Sequence, residues 1–150
     1  MRKLLIIIAL AGIFSSSVFA HEGFISIESQ HSVKVTADRL VQVLNAKGMT
    51  VFIRIDHAAA AQKIGKTLRP TELVIFGNPK VGTPLMLCSQ SIAIDLPQKA
   101  LIWQDEDGEV LYSYNDPKYL AKRHDAEGCD KVLEKVTNAL ANFAKKATSE

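Results

Sequence analysis

The sequence predicts an α+β fold, a sheet covered by helices, in the element order β-α-β(α)β(α)-βββ-(α)α. Three observations carry that prediction. Phe24–Ser29, FISIES, alternates apolar and polar residues at the period of a strand. Val33, Ala37, Leu40 and Leu44, and again Val132, Val136, Leu140 and Phe143, recur at the spacing of one helical face. Between those helices lie short β-branched and aromatic runs separated by turn residues, which one sheet can collect.

After the FISIES strand, Ser32 is placed to cap the first helix and Gly48 to stop it. Thr50–Asp56, TVFIRID, is a strand, and the alanines of HAAAAQKIG favour a short helix behind it. Glu72–Phe76, ELVIF, is a strand that runs into Phe76–Met86, FGNPKVGTPLM, where glycines, prolines and an asparagine crowd one corner. Thr83-Pro84 reads as a helix start, with threonine at the N-cap and proline at N1, and a short buried helix follows through LMLC. Ile92–Leu96, IAIDL, reads as extended. KALIWQ and EVLYSYN flank Asp105-Glu106-Asp107-Gly108 as a hairpin with a solvated acidic tip. Asp116-Pro117 opens a short helix through Tyr119 and Leu120, and a last helix runs from Gly128 to Ala147.

Residues 1–20 stand apart from this pattern. Arg2 and Lys3, the apolar Leu4–Phe14 and the small-residue stretch ending Val18-Phe19-Ala20 have the three-part form of a signal peptide cut after Ala20. Leu4–Phe14 is shorter than the ~20 residues that span a bilayer. Residues 21–150 are then a single domain of a bacterial periplasmic or secreted protein, off the membrane once the signal is removed. The chain has 18 Lys+Arg and 16 Asp+Glu, and losing Arg2 and Lys3 leaves 16 of each. A neutral domain gives no electrostatic reason to expect nucleic acid as a partner. In an oxidising compartment Cys88 and Cys129 are most simply one disulfide; two separate buried thiols or a reactive thiol are the alternatives. No CxxC is present, which argues against a thioredoxin-type redox site.

DHAAAA, RPTELVIFGNPKVGTPLM and IDLPQKALIWQDEDGEVLYSYNDPKYLAKRH together resemble the domain-of-unknown-function family numbered 302, over residues 24 to 145. The resemblance implies a compact α+β domain like the TATA-binding-protein β-α-β architecture, and often a homodimer. It implies no activity, so no catalytic residue comes with it. Cys88 and Cys129 fall outside the family pattern.

The corner Gly77–Gly82 has the G-x-x-x-x-G spacing of a phosphate-binding loop. Thr83 and Pro84 stand where that loop needs Lys and Ser/Thr, which disfavours nucleotide hydrolysis. What remains is a helix start with free N–H groups, the Thr83 hydroxyl and Lys80. Such a corner either attracts a small anion or serves the fold alone. Asp56 and His57 end another strand. If that end lies beside the corner, His57 and Asn78 line one cleft, where a histidine can act as acid, base or ligand. Tyr114, Asn115 and Asp116 add polar groups at a third junction, with helix capping the simpler role for Asp116. His124 reads as a solvent-exposed residue at a helix C-terminus. His21 at a processed N-terminus can bind copper with His31, His57 or His124, although no HxH, HExxH or Met-rich cluster accompanies it. No G-x-S-x-G marks a nucleophilic serine.

The leading expectation is a non-enzymatic, exported small-ligand-binding or sensing domain that forms a homodimer. Asp56, His57, Gly77, Asn78, Lys80, Thr83, Tyr114 and Asp116 would surround a small anionic ligand, with Phe76, Leu85, Met86 and Trp103 packed beneath. The alternatives are a metal- or haem-binding protein using His57, His124 or His21, an enzyme pairing His57 with a carboxylate, and a structural partner-binding protein.

Overall fold

The computed structural model describes residues 18–21 and 23–149. The charged and apolar stretches of the expected signal peptide lie outside the described residues. Its last residues do not: Val18–His21 form a strand, β1, paired antiparallel with β2, Phe24–Ser29. A cut after Ala20 would leave His21 as the sole β1 residue of the processed chain.

The chain continues through α1 (Val33–Ala46), β3 (Thr50–Asp56), α2 (His57–Lys63), β4 (Thr71–Gly77) and α3 (Pro79–Cys88). A 3-10 turn (Gln90–Ile94), β5 (Gln98–Gln104), β6 (Val110–Asn115), α4 (Pro117–Arg123) and α5 (Asp130–Thr148) follow. The strands form one sheet in the order β1-β2-β6-β5-β4-β3, antiparallel at every pairing.

Helix α1 starts where the Ser32 hydroxyl accepts from the Val35 N–H, and the chain leaves it through Gly48 in the left-handed region at φ +67°. Its stripe Val33, Ala37, Leu40 and Leu44 joins Val136, Leu140, Phe143 and Ala147 of α5 against one face of the sheet. That face presents Val74, Phe76, Ala100, Ile102, Tyr112 and Tyr114. Each large apolar side chain so buried contributes about 1.5–3 kcal/mol relative to exposure. Phe76 and Phe143 meet edge-on with ring centroids 6.1 Å apart, which fixes α5 over β4. On the opposite face a polar line crosses three strands. The Trp103 indole N–H donates to Ser113 Oγ at 3.0 Å, and Ser113 Oγ lies 2.8 Å from Ser26 Oγ.

Strand β3 forms an edge of the sheet, with a bulge at Phe52. Arg54 ties this edge to the core, bonding Glu72 of β4 and reaching Asp38 of α1 at 2.7 Å. Hydrogen bonds from Lys34 and then Arg54 hold the Asp38 carboxyl below the usual range. Cys88 and Cys129 are disulfide-bonded with Cα atoms 6.2 Å apart, joining the end of α3 to the start of α5.

Two segments depart from the sequence expectation. Helix α3 begins at Pro79 rather than Pro84: Asn78 is the N-cap, its Oδ1 accepting from the Lys80 N–H at 2.9 Å, and Pro79 takes the first helical position. Asn-Pro carries the same cap chemistry as Thr-Pro and comes earlier in the chain, so Thr83-Pro84 lies inside the helix. The IAIDL segment lies in and just after the 3-10 turn, not in a strand. Ile92 is buried in the core and Leu96 packs against it, while Ala93 and Ile94 face solvent, and a run this short carries no decisive period. The sixth strand is β1 instead.

Candidate functional site

Strand register decides which polar groups meet. In the β3–β4 pair, Thr50 faces Gly77 and Asp56 faces Glu72. Asp56 and His57 therefore stand at one end of the sheet and Gly77 and Asn78 at the other, about 20 Å apart at ~3.3 Å per residue. The single cleft expected around both does not form. Asp56 is the N-cap of α2, accepting from the Ala59 N–H at 2.8 Å, and His57 is an exposed first helical residue. That end carries a broad depression of about 630 Å³, where the charged side chains Lys34, Arg54, Asp56, Lys66 and Glu72 stand among apolar residues such as Leu68 and Pro70.

Tyr114 and Asp116 lie toward the Gly77 end, since Phe76 faces Gln98 and Ala100 faces Tyr114. Neither opens onto the corner. Tyr114 is 4% exposed and packs edge-on against Tyr112, with burial raising the pKa of both hydroxyls. Asp116 caps α4 by accepting from the Lys118 N–H at 2.9 Å. Trp103 is at the far end of β5, facing Thr71 and Leu111.

The corner itself does build a hollow. A space of about 220 Å³ lies between α3, the start of β3 and the turn Leu96–Gln98. Phe52, Val81, Leu85, Met86, Leu96 and Pro97 make its apolar walls, and Asn78, Thr83 and Gln98 are its polar side chains. The crowded turn residues explain its shape. A Cβ on Gly77 would lie 3.2 Å from Phe52 Cε2 and 3.4 Å from Pro97 Cβ, so only glycine lets the ring and the proline close in unhindered. Both ends of the Asn78 amide are used, Oδ1 on the Lys80 N–H and Nδ2 donating to the Gly48 carbonyl at 3.0 Å. That pairing clamps the α1–β3 turn to the start of α3. Lys80 is exposed and does not line the hollow, and Thr83 enters from within the helix rather than as its cap. With no cation among its lining, the hollow suits an uncharged ligand better than the anion expected from the sequence.

His124 also departs from the sequence expectation. Its side chain is 8% exposed rather than open to solvent. Nε2 lies 2.6 Å from Asp95 Oδ2, and Nδ1 lies 3.0 Å from Ser91 Oγ. These partners are 29 and 33 residues away in the chain, and no local motif announces them. Of the other histidines, His57 lies alone on the surface and His31 Nε2 faces the Ser149 carbonyl at 3.2 Å. Among the described residues no group of three or more His, Cys, Asp or Glu side chains is arranged to hold a metal ion.

The "Fluoride-specific ion channel FluC 1" of Brucella suis biovar 1 (strain 1330) is 48% identical over 102 residues, 68% of this chain and 40% of that protein. The protein of the same name from Brucella abortus biovar 1 (strain 9-941) is also 48% identical over 102 residues, covering 38% of its length. The chain thus spans about two fifths of these curated relatives. Among the described residues no helix is long and apolar enough to cross a membrane. The crystal structure of an uncharacterized conserved protein DUF302 from Bacillus stearothermophilus superposes with a TM-score of 0.75 at 16% identity, covering 85% of this chain and 99% of that one. It shares the fold. The model of the family described as "Domain of unknown function DUF302" matches residues 25–143, and the chain belongs to that family.

Proposed function

We propose that this chain is an exported ligand-binding or sensing domain, and that its site is the apolar hollow at the Gly-Asn-Pro corner. The observation that carries the proposal is the composition of that hollow: apolar walls, three polar side chains and no charged one. Its volume of about 220 Å³ lies below the ~300–1,000 Å³ of drug-sized sites, so the ligand is small. It is uncharged and mostly apolar, with one polar end toward Asn78, Thr83 or Gln98. Fluoride, suggested by the names of the Brucella relatives, does not suit this wall, because the lining carries no cation to offset the cost of stripping the ion of its water. In those relatives a matching stretch sits inside a longer protein named as a channel, which favours a sensing or partner module over a self-contained activity.

Export is supported by the three-part N-terminal sequence and by the disulfide. A homodimer belongs to the same proposal, supported by half-exposed Phe52 and Ile53 on the edge strand β3. The ligand reading is tested by filling the hollow. A Cβ on Gly82 meets only Leu96 Cδ1, at 3.9 Å, so Gly82→Leu projects into the space while improving helix propensity by up to ~1 kcal/mol. The variant is expected to fold and to lose at least tenfold in affinity for a small apolar fluorescent probe. Unchanged affinity would remove the hollow as the site.

A further inference from the structure

We propose that Ser91 is a nucleophile activated through His124 and Asp95, and that it accepts acyl groups from small, unhindered carboxylic esters. The three side chains form one hydrogen-bonded line where the 3-10 turn meets the end of α4. Asp95 Oδ2 lies 2.6 Å from His124 Nε2, and His124 Nδ1 lies 3.0 Å from Ser91 Oγ. A carboxylate only accepts, so in the neutral imidazole Nε2 carries the hydrogen and Nδ1 turns its lone pair toward the serine hydroxyl. A base within reach of the hydroxyl, held in one tautomer by a third group, is the arrangement that activates serine in acyl transfer.

Exposure is graded in the sense this chemistry needs. The His124 and Asp95 side chains are 8% and 15% exposed, whereas Ser91 faces solvent. The surroundings hold the line in place. Arg123 Nη1 lies 3.4 Å from the other Asp95 oxygen, and Lys99 Nζ donates to the Asp95 carbonyl at 2.8 Å. Ser89 Oγ donates to the His124 carbonyl at 2.7 Å and stands 3.1 Å from Ser91 Oγ. The Cys88–Cys129 disulfide fastens the segment carrying both serines to the segment that follows His124. A histidine serving only to end α4 has no need of an exposed hydroxyl on its second nitrogen. Ser91 does not line the apolar hollow, so this activity is independent of the ligand-binding proposal and its substrates are weakly held.

In the acylation step Ser91 Oγ attacks the ester carbonyl carbon as its proton passes to His124 Nδ1. The tetrahedral oxyanion collapses, the ester C–O bond breaks, and Nδ1–H returns the proton to the departing alkoxide. Water, deprotonated by the same nitrogen, then cleaves the acyl-serine to a carboxylic acid and restores the hydroxyl. Asp95 is a positioning residue, acting through His124.

The test uses the full chain with p-nitrophenyl acetate. The expected result is a gain of one acetyl group in intact mass, mapped by peptide sequencing to Ser91 and abolished in Ser91→Ala. His124→Gln is expected to slow acylation by ~10²-fold or more, the usual worth of a general base. His57→Ala leaves the rate unchanged, which separates the site from acylation by any surface imidazole. Asp95→Asn lowers kcat more than it raises KM, and Asp95→Glu recovers part of the loss. Should His124→Gln fail to fold, Ser91→Ala at an exposed position decides alone. Equal acetylation of wild type and Ser91→Ala, or label confined to lysines, overturns the proposal.

Discussion

Phe52 and Gly77 close against each other at the edge of the sheet, where a Cβ on the glycine would come within 3.2 Å of the phenylalanine ring. The contact ties the β3 bulge to the end of β4 and sets the width of the apolar hollow. Gly77→Ala is expected to push the half-exposed Phe52 ring outward. Overpacking of this kind costs about 1 kcal/mol where the neighbour can move. Urea unfolding should show that modest loss, with probe affinity in the hollow falling about tenfold.

Gly23 presents a harsher case. Its φ is +80°, and a Cβ there would sit 2.5 Å from the Tyr119 ring. Gly23→Ala combines left-handed strain of about 1–2 kcal/mol with a steric clash of about 1–3 kcal/mol. Gly65, at φ +70° with open space around it, isolates the backbone part alone. Urea unfolding of the two alanine variants should separate them, with Gly23→Ala at least twice as destabilised.

Removing the disulfide tests the tie between α3 and α5. Cys88 and Cys129 are 41 residues apart, and a loop of that length is worth about 4 kcal/mol in the chain-entropy model. The double variant Cys88→Ser with Cys129→Ser should lose stability by about that amount under denaturant. Because the same bond braces the Ser91–His124 line, ester acylation should weaken beyond what the folded fraction explains.

Alkaline stability should depend on Tyr112. Burial first, and Tyr114 second, raise its folded pKa above the ordinary value of 10.0. A raised pKa means stability that is whole below the unfolded value and lost as pH climbs toward the folded one. Lys99 works the other way, since burial lowers its folded pKa. The difference between wild type and Tyr112→Phe isolates the tyrosine: wild type should lose more stability than the variant as pH rises above about 10.

The helices were legible because their information is local. Ser32, Asp116 and the apolar stripes of α1 and α5 mark caps and faces within a few residues of one another. The start of α3 misled because Asn78-Pro79 and Thr83-Pro84 carry equivalent cap chemistry, and only the Asn78 bonds to Lys80 and Gly48 distinguish them. The site was half legible. FGNPKVGTPLM signals tight backbone control, and it does shape a hollow. That Asp56 and His57 lie at the wrong end follows from the antiparallel β3–β4 register, which neither strand states alone. Likewise, Asp95 meets His124 only because a 3-10 turn replaces the extended segment suggested by IAIDL.

Chemical-shift mapping of the amide-labelled chain, titrated with toluene, tests the hollow most directly. Saturable shifts confined to Met49, Gly77, Asn78, Gly82 and Gln98, and absent in Gly82→Leu, are the predicted result. No saturable shift there, or shifts centred instead on Asp56 and Ala59, would contradict the assignment of the ligand site.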